Sequence, residues 1–472
     1  MGKRLLTARY GGMTLGAMYD VAVVGGGVVG CAVARRFVLE GAKVLLLEKG
    51  ADILSGASKG NSAILHTGFD APPGSLELAC MQAGYAEYME IRELLRLPVL
   101  ETGAVVAAWN EEERAKLPGI AEAAHANGVT DARLLTRAEV LAREPQLSPL
   151  VLGGVLVPRE HVIDPWSAPL AYVLQAMANG GEVRRNTVVL SGHFANGGWR
   201  LETNIGPVEC GTVINCAGLY GDIVDHRLTG AEHFTIKPRK GQFVVFDKAA
   251  AQLLRTILLP VPTERTKGIV VTPTAFGNLL VGPTAEEQDS RDRAAVDEAT
   301  LRMLVDKAVE LVPALEGMGV TAVYAGIRPA TERKEYRVRH EAERNYILLG
   351  GIRSTGLTAA LGLAQHAWSL YAKPHARLTD PVWPQAPVLA EHCARDWQSP
   401  GYGEIICHCE MATSREIEAA LAGPLPAQDY GGLKRRTRAG MGRCQGFYCN
   451  ARLAEMTAGR FATPLAVEHK HG

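Results

Sequence analysis

Residues 19–48 read YDVAVVGGGVVGCAVARRFVLEGAKVLLLE, and the fold of the chain turns on this stretch. Tyr19–Val24 is a short β-rich run. A glycine turn follows, then a helical stretch to about Glu40, and Lys43–Leu47 returns to an apolar strand. Strand, turn, helix and strand make a βαβ unit. The turn holds Gly25-x-Gly27-x-x-Gly30, and Glu48 ends the second strand. Glycines there allow a tight turn and let backbone amides approach a pyrophosphate lying on the helix N-terminus. A carboxylate at Glu48 accepts hydrogen bonds from ribose hydroxyls and repels a 2′-phosphate. Triplet, framing and acid together predict a dinucleotide site that disfavours NADP, and they leave FAD and NAD open.

Further along, helical patterning recurs at Leu76–Leu95, Trp166–Ala178 and Ala299–Leu311, and strand patterning around Val99–Ala107, Val183–Leu190 and Val208–Asn215. This alternation predicts an α/β core with an attached mixed domain. From Lys373 to Pro400 the texture changes to a proline-punctuated segment, read as a semi-extended linker because proline fixes φ. A cysteine-bearing module then occupies 401–472.

The chain has 472 residues, too many for one core. Lys+Arg and Asp+Glu both number 50, so nothing advertises nucleic acid or an anionic membrane surface. No apolar run reaches the ~18–20 residues that span a bilayer. The N-terminus has basic residues without the apolar core of a signal peptide. Residues 1–17 look structureless and Met18 directly precedes the first strand, so the start is expected at Met18 or Met13. Nine cysteines and no export signal predict a reducing, cytoplasmic setting.

Four of those cysteines form Cys407-x-Cys409 and Cys444-x4-Cys449. Structural zinc sites generally use C-x2–4-C pairs, and a Rieske centre needs two histidines, whereas only His408 lies between cysteines. A [2Fe-2S] cluster is the expectation, with zinc or no metal as the other readings. Cys31, Cys80, Cys210, Cys216 and Cys393 are read as core. The run Lys434-Arg-Arg-Thr-Arg438 is either a docking patch for an acidic electron acceptor or a solvated helix face.

Two more stretches bear on the cofactor. Gly56 to Gly68, which contains Ser58, Asn61, Ser62 and His66, is small, polar and glycine-spaced, suited to a loop wrapped around a flavin. Tyr346 to Thr358 runs from a strand through Gly351 into a helix near Gly356, and a helix N-terminus there suits negative charge on a reduced flavin. Val213–Gly218 supplies another strand ending in glycine.

Residues 18–70, 213–222 and 346–362 resemble the FAD-binding elements of the D-amino-acid-oxidase-like flavoenzymes. Ser58–Ser62, His66-Thr-Gly68 and Leu280–Glu287 resemble FAD-dependent glycerol-3-phosphate dehydrogenases and L-2-hydroxyglutarate oxidases. The C-terminal module is similar to bacterioferritin-associated-ferredoxin-like [2Fe-2S] domains.

The fold expected is α/β: a Rossmann-like FAD domain (18–77, 151–229, 326–372), a mixed α+β substrate domain (78–150, 230–325), a linker (373–400) and a small helical [2Fe-2S] domain (401–472). The resemblance implies FAD contacts from Gly25, Gly27, Gly30, Glu48, Lys49, Ser58, Asn61, Ser62, Gly68, Val188, Gly218, Gly326, Gly351, Gly356, Leu357 and Thr358. It implies cluster ligation by Cys407, Cys409, Cys444 and Cys449. His66 is then the general base or a flavin hydrogen-bonding group, Arg328 a substrate anchor, Arg353 a holder of substrate or flavin, and Lys240 either a flavin-edge residue or a solvated turn.

The function expected is a dehydrogenase for a small anionic alcohol, glycerol 3-phosphate or a 2-hydroxy acid, passing hydride to flavin N5. Electrons leave through the cluster to a protein or quinone, or to a partner reductase subunit, since the chain has no second dinucleotide fold. The alternatives are an amino-acid, imino-acid or opine dehydrogenase and a non-catalytic iron–sulfur carrier.

Overall fold

The computed structural model describes residues 19–262 and 268–466; the start expected at Met18 or Met13 lies outside them. Strand Tyr19–Val24 sits between Val44–Leu47 and Gly206–Asn215, parallel to both. Glu182–Arg184 extends one edge in parallel, and Tyr346–Gly350 joins Gly206–Asn215 in parallel on the other side. The two inner strands are apolar without alternation, as expected of parallel strands covered on both faces. Helices Val28–Leu39, Leu76–Leu95, Ser167–Ala178 and Gly356–Tyr371 share one core with the sheet, in which Phe37, Tyr88, Tyr172 and Leu363 are buried. Each such side chain contributes about 1.5–3 kcal/mol.

A second sheet is built on the long antiparallel pair Ile236–Phe246 and Val320–Thr331. Its core packs under helix Glu298–Leu311 through Leu304, Ala308 and Leu311. A small third sheet, Ile64–Leu65, His161–Ile163 and Val99–Leu100, sets Leu65 opposite His161 and Ile64 opposite Val162.

The expected boundaries shift where packing overrides sequence order. Helix Leu76–Leu95, assigned from residue 78 to the substrate domain, packs on Gly356–Tyr371 in the Rossmann core. Strand Gly153–Val157, assigned to the FAD domain, belongs to the second sheet. A boundary at 326 cuts through Val320–Thr331. Two expected strands are each interrupted: Val99–Leu100 and Ala104–Ala108 part at Gly103 (φ +63°), and Glu182–Arg184 and Val189–Ala195 part at Asn186 (φ +54°). The 373–400 segment lies against the body rather than free of it: Leu378 bonds to Leu39, Ala386 to Leu95 and Glu391 to Ala275 through backbone, and Leu389 is buried.

Hairpin Ile405–Cys407/Ala412–Thr413 and helices Ser414–Ala422, Tyr430–Thr437 and Asn450–Thr457 close the C-terminal module around Ile406, Ile417, Leu433 and Leu453. A Thr413/Glu416 capping box starts the first of these helices. The basic run 434–438 is neither a free docking patch nor a solvated face: Arg436 and Arg438 are buried, and they pair with Asp52 and Glu410 of this same chain.

Candidate functional site

At the carboxyl ends of the parallel strands opens a cavity of about 830 Å³. Glycine shapes its floor. A Cβ on Gly25 would lie 2.5 Å from the Cys216 carbonyl oxygen, and one on Gly30 would collide with the Gly25 carbonyl. At Gly27 the nearest atom is Ser58 Oγ at 3.2 Å, which leaves an approach for a ligand. Gly27 is the N-cap of helix Val28–Leu39 and offers no side-chain cap; Ser58 Oγ accepts from the Val28 amide at 3.1 Å. Gly356 starts a second helix, also without a side-chain cap, on the same cavity. Two helix N-termini facing one cavity make an anion-holding arrangement.

Glu48, mostly buried, accepts from the amides of Gly26 and Gly50, both at 2.6 Å. Burial raises its carboxyl above the ordinary value, against the pull of those two amides. Lys49 stands 3.2 Å from the Tyr220 ring centroid, and Tyr220 Oη donates to Asp292.

Thirteen of the expected FAD contacts line the cavity: Gly25, Gly27, Glu48, Lys49, Ser58, Asn61, Ser62, Val188, Gly218, Gly326, Gly351, Gly356 and Leu357. Gly30, Gly68 and Thr358 do not. Gly30 serves close packing of helix on strand, Gly68 turns the chain at φ +88°, and Thr358 is buried with its Oγ1 accepting from the His66 amide.

Arg328 and Arg353 are both on the wall. Arg328 lies opposite Arg239 in the strand pair, and Gly241 makes room for its guanidinium, which donates to the Thr284 carbonyl at 2.5 Å. Burial, then the neighbouring charges of Arg239 and Arg353, push Arg328 down to about 10, so it remains cationic at neutral pH. Arg239 is taken by Glu287. Lys240 is off the wall and pairs with Glu286 at 2.9 Å.

His66 is not among the residues lining the cavity; its amide donates to Thr358, next to Leu357 of the wall, and 22% of its side chain is exposed. Its Nδ1 is 2.7 Å from Glu160, which is fully buried and also accepts from Thr67 N and Oγ1. Sequence reading missed Glu160. The partners are 94 residues apart and meet only through the small sheet; the one sign was an acid in the short turn between two apolar strands.

In the C-terminal module the four cysteines neighbour one another two and two: Cys409 and Cys444 lie close enough to perturb each other's thiols, as do Cys407 and Cys449. Among the described residues no three metal-type side chains converge on a single ion. Two pairs suit two irons sharing four thiolates better than one tetrahedral ion. Hydrogen bonds from the Tyr448, Gly446 and Phe447 amides pull Cys444 below the ordinary thiol value. Cys407 and Cys449 are buried, Cys409 and Cys444 partly open.

The FAD dependent oxidoreductase family model matches residues 20–370, and a BFD-like [2Fe-2S] binding domain matches 405–458. The chain belongs to the FAD-dependent oxidoreductase family. Its cofactors are FAD and a [2Fe-2S] cluster. A glycerol 3-phosphate dehydrogenase of Caloramator mitchellensis is 31% identical, with 96% of this chain and 97% of that one covered. A glycerol 3-phosphate oxidase of Mycoplasma pneumoniae is 32% identical over 75% of this chain and 96% of its own. The solved FAD-bound L-α-glycerophosphate oxidase from Mycoplasma pneumoniae superposes with a TM-score of 0.71 at 28% identity, covering 78% of this chain and 97% of that one. This FAD-dependent oxidoreductase is thus glycerol-3-phosphate-dehydrogenase-like. Among its described residues no helix is long and apolar enough to cross a membrane.

Proposed function

We propose that this FAD-dependent oxidoreductase is a dehydrogenase for glycerol 3-phosphate. The observation that carries the reading is Arg328: a partly buried guanidinium on the cavity wall beside Arg353, with no carboxylate bound to it among the described residues. Such a fork grips a phosphate or carboxylate in bidentate fashion, and two cations favour a dianion. Gly27 and Gly356, Ser58, Asn61 and Glu48 would hold FAD, which supplies the hydride acceptor when bound. His66, with Nδ1 directed at Glu160, presents Nε2 as the base that takes the hydroxyl proton.

Cys407, Cys409, Cys444 and Cys449 would hold the cluster, which supplies a one-electron outlet. Dehydrogenase is favoured over oxidase because the dehydrogenase relative matches through the cysteine module, whereas the oxidase relative covers 75% of the chain. Exposed Phe447 and Tyr448, 81% and 76% accessible inside the cysteine loop, favour a protein acceptor over a freely diffusing one.

Anaerobic titration with glycerol 3-phosphate, L-2-hydroxyglutarate and proline tests the reading. Glycerol 3-phosphate is expected to bleach the flavin most efficiently; bleaching by proline alone would sink the assignment.

A further inference from the structure

A continuous file of packed side chains joins the cofactor cavity to the cysteine module. Trp166 Nε1–H donates to the Lys59 carbonyl at 3.2 Å, and Lys59 lines the cavity. The indole stacks on Phe276, centroids 5.4 Å apart and planes within 12°. The Arg438 guanidinium carbon lies 3.9 Å from the Phe276 centroid. Arg438 Nε–H then donates to Glu410 at 2.7 Å, and Glu410 directly follows Cys409. Phe276 and Arg438 are buried at 6% and 5% exposure. The three side chains come from three separate parts of the fold: the start of helix Ser167–Ala178, a loop of the second sheet, and the module itself. Other contacts already attach the module, through Arg436 to Asp52 and Arg443 to Asp247.

We propose that Trp166, Phe276 and Arg438 form the bridge by which electrons pass from the flavin cavity to the cluster. This rests on the reading above that electrons leave through the cluster. Electron tunnelling falls steeply with distance, and far more steeply across gaps than through packed atoms. The file offers van der Waals or hydrogen-bonded contact at every junction from Lys59 to Glu410. Oxidation of one alcohol carbon removes a hydride and a hydroxyl proton. The hydride's two electrons cross one at a time, because a [2Fe-2S] centre takes one at a time. Its proton goes to solvent, as does the hydroxyl proton, and each electron leaves on a one-electron carrier protein. No bond in the bridge forms or breaks.

The test uses the full-length holoprotein under anaerobic conditions, with flavin reduced either by glycerol 3-phosphate or photochemically without substrate. Flavin absorbance and the electron-paramagnetic signal of the reduced cluster are followed separately. In Trp166→Leu and Phe276→Leu, flavin reduction is expected at the wild-type rate, and cluster reduction slowed by an order of magnitude at unchanged iron content. Trp166→Phe, which keeps a stacked ring, retains most of the rate. Asp247→Ala removes a docking contact and no bridge atom, and leaves both phases intact. The proposal is overturned if the leucine variants reduce the cluster as fast as wild type, or if Asp247→Ala slows it equally. Failure of substrate alone to bleach the flavin, with normal photochemical transfer, counts against the substrate assignment and leaves the bridge standing.

Discussion

Arg436 donates from Nη1 and Nη2 to the two oxygens of Asp52, at 2.6 and 2.8 Å, with both side chains buried. Asp52 lies four residues beyond Glu48, so the cysteine module is clamped to the loop that follows the ribose-side acid. A Cβ on Gly432 would strike the same carboxylate, which is why a glycine faces it. Arg185 approaches Asp52 at 3.6 Å and donates to the Pro426 carbonyl.

Removing one partner of a buried bidentate pair strands the other charge. Arg436→Ala is therefore expected to cost about 3–5 kcal/mol. Thermal denaturation should show a lowered transition, and limited proteolysis faster cleavage between residues 373 and 400. Unchanged melting and cleavage would show that the module does not depend on this pair.

Glu160 is expected to act through His66. Because general-base assistance is worth roughly 10²–10⁴ in rate, His66→Ala should lose kcat on that scale. Glu160→Gln should lose a smaller part, mainly in kcat rather than KM, because the imidazole remains present but is less firmly oriented. Steady-state kinetics that place the Glu160→Gln loss in KM alone would assign it to substrate binding instead.

Arg328→Ala should lower kcat/KM for the anionic substrate by roughly 10–100-fold, the worth of a charge-assisted hydrogen bond of about 1.5–3 kcal/mol. Lys240→Ala should leave it within a few-fold, since Lys240 is committed to Glu286. Equal effects from the two variants would remove Arg328 from its assigned place.

Flavin retention should depend on pH through Glu48. Its carboxyl is raised above the ordinary 4.5 by burial, so it protonates at a higher pH than a free glutamate. Protonation removes a ribose acceptor; flavin release should therefore begin above pH 4.5 as acidity increases. Glu48→Gln should bind flavin more weakly at neutral pH and lose that acid dependence. Flavin fluorescence during acid titration reads both.

The βαβ unit was legible because Gly25, Gly27, Gly30 and Glu48 lie within thirty residues, where local spacing carries the geometry. Cys407-x-Cys409 and Cys444-x4-Cys449 stood out by local spacing, whereas the approach of Cys407 to Cys449 and of Cys409 to Cys444 depends on the fold of the module. The His66–Glu160, Arg328–Arg239 and Asp52–Arg436 partnerships were not, because each depends on strand register or module docking between distant segments. Lys434–Arg438 misled for a related reason: a charge run looks solvated until the partner acids Asp52 and Glu410 are in place. The periodicity of Leu76–Leu95 identified the helix but not the sheet it would cover.

The most direct test of the account is one anaerobic turnover of the holoprotein with glycerol 3-phosphate, recording flavin absorbance and cluster spin signal together. Flavin bleaching followed by a reduced-cluster signal on the same enzyme is expected. A flavin that stays oxidised, or one that is reduced while the cluster never is, would contradict it.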